Sequence, residues 1–152
     1  MVVSAVGKVK KITSLIRKSI DNSDTFKNNP DLTNVTGWTI GFVSRRNAKG
    51  LETYQKDVEN EFKISRSTAT GLLQSMESHG YIYREVSSID NRLKRIVLTE
   101  KARLLHNKVI ETFDKLEYKM LEGFNNKEKE ELFAYLLRIE DNLENNKEEE
   151  KQ

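Results

Sequence analysis

Apolar residues recur along this chain with two periods, helical over most of its length and strand-like in one short stretch. Over residues 3–20, Val6, Val9, Ile12, Leu15, Ile16 and Ile20 fall on one side of a helix. That stripe calls for burial, yet the sequence beside it offers no partner. Residues 21–31, DNSDTFKNNPD, read as a loop by composition and hold the only proline. A second helix is predicted over 35–47, with Thr36 as a candidate cap and with Trp38, Ile40, Phe42 and Val43 along it; Ala48-Lys49-Gly50 ends it. Aromatic residues at helical spacing are first of all core residues, and Trp38 and Phe42 are placed there. Further on, Leu105, Val109, Phe113, Leu116 and Met120 stripe a helix that opens at Thr99 and runs to about Gly123. Asn125 or Asn126 opens a last helix, whose Leu132, Leu136, Ile139 and Leu143 form a short a/d seam.

Between these outer helices, residues 54–98 combine several local signals. A short helix over 54–62 turns Val58 and Phe62 inward, and Lys63-Ile64 connects it to a second helix, as in a helix-turn-helix. The second helix opens at Ser65, a residue type whose hydroxyl can accept a hydrogen bond from an unpaired backbone N–H. It stops at Gly80, suited to the left-handed position after a helix. Ala69, Leu72, Leu73 and Met76 make its apolar face. The opposite face carries Arg66, Ser67, Thr70, Gly71, Gln74 and Ser78, small or polar and without an acid. A helix that enters a DNA major groove needs short polar groups near its N-terminus to approach bases and phosphates. The bland alternative is an amphipathic helix with a wet outer face.

Here the period becomes strand-like. Residues 81–86 and 95–98 have the β-branched and aromatic character of strands, separated by the turn-rich SSIDNRLK of residues 87–94. A ribbon after a helix-turn-helix makes a wing. An arginine at its tip, Arg92, suits a narrow minor groove, and Asp90 is near enough in sequence to orient it. The bland alternative is a surface hairpin whose charges keep it soluble. The three features together favour double-stranded DNA.

Composition narrows the field. The chain has 152 residues, 36% hydrophobic and 33% charged, which fits a helical protein with much exposed surface. It has no apolar run long enough for a membrane span, and Met1 to Val6 is too short for a signal sequence, so a cytoplasmic protein without membrane partners is expected. Zero cysteines excludes disulfides, zinc fingers and thiol chemistry. His79 and His106 lie on different predicted elements, without metal-ligand spacing, and there is no phosphate loop or nucleophile elbow. No cofactor, metal or enzymatic activity is expected. The net charge of +2 is uninformative, but Lys8, Lys10, Lys11, Arg17 and Lys18 stand in an acid-free first 20 residues, whereas Glu140, Asp141, Glu144, Glu148, Glu149 and Glu150 crowd the other end.

The segments QKDVENEFKISRSTATGLLQSMESHGYIYRE and DNRLKRIVLTEKA resemble the MarR family of bacterial transcriptional regulators. They share its helix-turn-helix spacing, its Ser-Thr opening of the recognition helix, its Glu-x-x-Gly exit, its Asp-x-Arg wing tip and its Leu-Thr-Glu-Lys passage into a long helix. The resemblance spans residues 36–103. Two positions depart from it: Tyr54 stands where the family usually has a Thr cap, so that Thr53 would cap one residue early, and Gly71 lies inside the recognition helix, at a cost of roughly 1 kcal/mol against Ala.

The expected fold is therefore mainly α with a small β-wing, a winged helix-turn-helix with N- and C-terminal dimerisation helices. Residues 1–34 and 99–146 would serve dimerisation, 35–98 would bind DNA, and 147–152 would form a disordered acidic tail. Ser65, Arg66, Ser67, Thr70, Gly71, Gln74, Asp90, Arg92, Lys94 and Arg95 are the candidate DNA-binding residues. A homodimer follows from the two-fold logic of operators and from the resemblance, which also implies a repressor and a small aromatic or anionic effector, with Trp38 and Phe42 as candidate contacts. The rival reading is a protein-interaction module whose winged unit has become a docking surface.

Overall fold

A computed structural model describes residues 4–149, with side chains through residue 145. The elements run α1 (Ala5–Asp21), α2 (Asp24–Lys27), α3 (Asn34–Ala48), α4 (Gln55–Phe62), α5 (Arg66–Ser78), β1 (Ile82–Val86), β2 (Lys94–Leu98), α6 (Glu100–Met120) and α7 (Asn126–Glu149). They form two compact units, Met1–Asp114 and Lys115–Gln152.

The core of the first unit is built where the two periods meet. Leu32, Ile40, Phe42 and Val43 from the α3 region, Val58 of α4, and Leu73 and Met76 of α5 pack with Tyr81, Ile82, Ile96 and Leu98 of the ribbon and Ala102 and Leu105 of α6. Burial of each large apolar side chain contributes about 1.5–3 kcal/mol relative to leaving it wet. The ribbon is antiparallel, with Ile82 opposite Leu98 and Val86 opposite Lys94. Its period of two puts Ile82, Ile96 and Leu98 into the core. Thr99 closes the ribbon: its hydroxyl donates to the Gly80 carbonyl at 2.6 Å and accepts from the Ala102 N–H at 3.2 Å, capping α6.

Several local expectations are corrected. The loop over 21–31 contains the single turn α2, because Phe26 packs on the core and the Thr25 hydroxyl meets that of Thr112, 2.9 Å away on α6. One apolar residue carries no periodicity, so the sequence could not show this helix. The cap of α3 is Thr33, not Thr36; Thr33 Oγ1 accepts from the Thr36 N–H at 3.2 Å while Thr36 itself is buried. Trp38 is not core but 61% exposed. At 100° per residue it lies nearly opposite the buried Thr36 and Val43. Thr53 does not cap α4. It is fully buried, its carbonyl accepts from the Ile96 N–H at 2.7 Å, and the cap position falls to Tyr54. The closure that a Thr would give comes from Asp57, whose carboxylate accepts the Tyr54 N–H at 2.8 Å.

The α4–α5 turn has an unusual joint. Lys63 adopts the left-handed conformation, φ 51° and ψ 45°, and is exposed. A non-glycine side chain there costs roughly 1–2 kcal/mol. The strain is accepted because the turn must deliver Ile64 to the core edge while Ser65 opens α5.

In the second unit, Asn125 caps α7 reciprocally with Glu128: Asn125 Oδ1 accepts from the Glu128 N–H at 3.0 Å and Glu128 Oε2 from the Asn125 N–H at 2.8 Å. The α7 seam is open, with Leu136, Ile139 and Leu143 each close to half exposed or more. So is the α1 stripe of the first unit, where no residue is buried. Of the expected acidic tail, residues 147–149 are helical, and residues 150–152 lie outside the described residues.

Candidate nucleic-acid interface

Helix α5 presents its polar face outward. Ser65 Oγ accepts from the Thr68 N–H at 3.1 Å, so this serine caps the helix, and Gly80 ends it at φ +74°. Arg66, Ser67, Gly71 and Gln74 are exposed. Arg66 makes no ion pair among the described residues. A Cβ on Gly71 would meet nothing within 4 Å, so packing inside the chain does not require glycine there. Thr70 is held back, donating to the Arg66 carbonyl at 2.8 Å and accepting from Gln55 Nε2 at 2.9 Å. Gln55 was absent from the expected site. It stands at the first position of α4 and braces the face of α5 that the sequence singled out.

At the wing tip, Arg92 and Asp90 form the pair the spacing allowed. Arg92 Nε and Nη2 donate to the two Asp90 oxygens at 3.1 and 2.9 Å, and the Arg92 backbone N–H donates to Asp90 Oδ1 at 3.0 Å. The guanidinium holds the Asp90 carboxyl below its ordinary range. The Arg92 side chain is nevertheless 85% exposed, so the pair displays the cation rather than hiding it. Lys94 is exposed beside it. Arg95 differs: it faces Glu85, its cross-strand partner, with which it ion-pairs, and Nη1 lies 3.2 Å from Glu52 Oε1. Its charge is neutralised within the chain, and it braces the ribbon.

Glu52 is the residue that sequence reasoning missed. Its side chain is only 8% exposed. It accepts hydrogen bonds from the hydroxyls of Tyr54, Ser87 and Ser88, from the Ser88 N–H at 3.0 Å, and from Arg95. The hydroxyls, Ser87 foremost, lower its pKa to about 2. A single glutamate in a loop makes no pattern. The pairing of Glu85 with Arg95 was not legible either, since the strands expected over 81–86 and 95–98 named no register and β2 opens one residue earlier, at Lys94.

No family model matches the chain. Among solved structures it is similar to the transcription regulator MarR from Oenococcus oeni PSU-1, with 36% identity, 90% of this chain and 98% of that one covered, and a TM-score of 0.60. The chain belongs to the MarR family of transcriptional regulators. The HTH-type transcriptional regulator PecS of Dickeya dadantii (strain 3937) is 32% identical over 103 residues, 68% of this chain. That match spans 62% of PecS, less than two thirds of its length. The chain is also similar to the S. aureus MepR–DNA complex, with 25% identity, 88% of this chain and 96% of that one covered, and a TM-score of 0.70. MarR-family relatives are thus regulators rather than enzymes. Among the described residues no three metal-ligating side chains converge, and no helix is long and apolar enough to cross a membrane.

Within this MarR-family fold the two candidate effector contacts separate. Trp38 faces outward, while Phe42 is buried and meets Phe62 edge-on, with centroids 6.0 Å apart. Arg45 and His106 flank Gly41, one turn along α3 from Trp38; a Cβ there would lie 3.3 Å from Arg45 Nη1 and 3.6 Å from His106 Cε1. Burial, and then the charge of Arg45, lower the His106 pKa, so the ring favours its neutral form.

Proposed function

We propose that the chain is a homodimeric repressor that binds a pseudo-palindromic duplex site and is released by a small aromatic or anionic effector. The observation that carries this reading is the pairing of an exposed, acid-free α5 face with an Arg92 guanidinium held outward by Asp90. Arg66, Ser67 and Gln74 reach base edges or flanking phosphates, and Gly71 gives the backbone room to approach the groove. Ser65 and Thr70 contribute through the cap and the Gln55 brace. Arg92 enters the minor groove, Lys94 contacts phosphate, and Arg95 stiffens the wing. The likeness to a regulator solved with DNA supports DNA binding. Residues 35–98 form the DNA-binding part. The open apolar faces of α1 and α7 support dimerisation through residues 1–34 and 99–146. Trp38 and Arg45 share a side of α3 by helical spacing, and His106 of α6 lies beside Gly41; an aromatic anion would bind on this side.

Selection of bound sequences from a random duplex pool tests this. Recovery of a two-fold symmetric motif with half-sites about one helical turn apart is expected. A pool that shows no enrichment, or binding that does not weaken with salt, would overturn it.

A further inference from the structure

We infer that Glu52 is a positioning residue for the wing arginine, acting through Ser87 and Asp90. The inference rests on the DNA-binding reading for its consequence, but its geometry stands by itself. Ser87 is buried at the foot of the wing tip, directly after β1. Its hydroxyl donates to Glu52 Oε2 and accepts the backbone N–H groups of Ile89, at 3.0 Å, and Asp90, at 3.2 Å. Asp90 then grips Arg92 through both carboxylate oxygens. A continuous line of hydrogen bonds therefore runs from the loop before α4 to the exposed guanidinium. Glu52 also holds Ser88 and, through Arg95, the second strand. One carboxylate thus ties both strands and the first turn of the tip to the segment that leads into the helix-turn-helix.

The physical consequence is preorganisation. The ribbon is anchored in the core at Ile82, Ile96 and Leu98, but its tip, with Val86, Ile89 and Leu93 exposed, has few apolar contacts to fix it, and a free arginine must be ordered each time it enters a groove. Ionised Glu52 satisfies the Ser87 hydroxyl in an orientation that leaves its lone pairs to the tip amides, so the turn presenting Asp90 is set before DNA arrives. Removing the carboxylate leaves the Ser87 hydroxyl only the Tyr54 hydroxyl, 2.8 Å away, to turn to, and loosens the tip without touching any group that contacts DNA.

The test compares Glu52→Gln and Ser87→Ala with Arg92→Ala, using anisotropy of a labelled mixed-sequence duplex over a range of salt. Ser87→Ala guards against misfolding, because it leaves Glu52 its other donors. Both variants are expected to bind on the order of tenfold more weakly per wing, with a salt slope shallower by about one unit per subunit, as when one phosphate contact is lost. Adding Arg92→Ala to Glu52→Gln should then change little, since coupled residues are not additive. In the free protein, the Arg92 Nε–H signal should lose order, and the Ile89 and Asp90 amides should lose exchange protection. Unchanged slopes with full additivity, or an Arg92 Nε–H as ordered in both variants as in the parent, would overturn the inference. Should the parent chain fail to bind DNA in a salt-dependent way, the DNA-binding reading falls, and the order of Arg92 in the free protein still decides the relay.

Discussion

Gln74 stands exposed in the middle of the outward face of α5, with no side-chain hydrogen bond among the described residues. Gln74→Ala is expected to cost about 1–3 kcal/mol on a preferred duplex if the amide makes a bidentate base contact, and far less on mixed sequence. Equal losses in a titration of both duplexes would reduce it to a positioning contact. Arg92 and Asp90 separate two electrostatic expectations. Removing a negative charge beside DNA should strengthen binding, whereas removing the group that holds the guanidinium should weaken it. The double hydrogen bond decides for the second, so Asp90→Ala is expected to bind more weakly than the parent at moderate salt. Arg92→Lys should lose much of what Arg92→Ala loses, because an ammonium is more strongly hydrated and cannot grip both Asp90 oxygens. Lys63 offers a stability test in the opposite direction. Lys63→Gly relieves a left-handed side chain, and chemical denaturation should show a gain of about 0.5–1 kcal/mol after the entropy of glycine is set against it.

At the scale of elements, the wing carries its own acid sensitivity. The folded-state pKa of Glu52, about 2, lies below its ordinary 4.5. Between these values the unfolded chain binds the proton and the folded one does not, so stability falls as pH drops through that window. The contribution is complete above the ordinary value. Acid titration followed by exchange at Ser88, Ile89 and Asp90 should show the tip loosening in this window, and Glu52→Gln should flatten the dependence. Which elements were legible follows from their periodicity. Helix α5 was bounded at both ends by Ser65 and Gly80, because cap and stop are local chemistry. The ribbon was legible from its β-branched and aromatic residues on either side of a turn-rich tip. Helix α2 was not, since its single anchor, Phe26, sets no period, and the α3 cap went to Thr33 because burial of Thr36 is a tertiary fact.

For the whole molecule, the apolar faces of α1 and α7 are exposed, and the proposed dimer would cover them. A chain ending near Gly123 is expected to sediment as a monomer or to aggregate through its exposed α1 stripe. A well-behaved dimer of that fragment would remove α7 from the interface. What the sequence determined by itself was what short-range chemistry encodes: the Ser65 cap and Gly80 stop of α5, the turn from helix to ribbon, the Asp90–Arg92 pair two residues apart, and an outer face on α5 free of acids. What only the tertiary structure decided was which residues meet across long separations. Trp38 left the core because α3 turns Thr36 and Val43 inward. Gln55 reached Thr70, fifteen residues away, and Arg95 paired with Glu85 and Glu52. Glu52 and Ser87, 35 residues apart, came together at the root of the wing. A carboxylate becomes a hub only when folding brings donors to it and keeps water away, and no spacing along the chain records that.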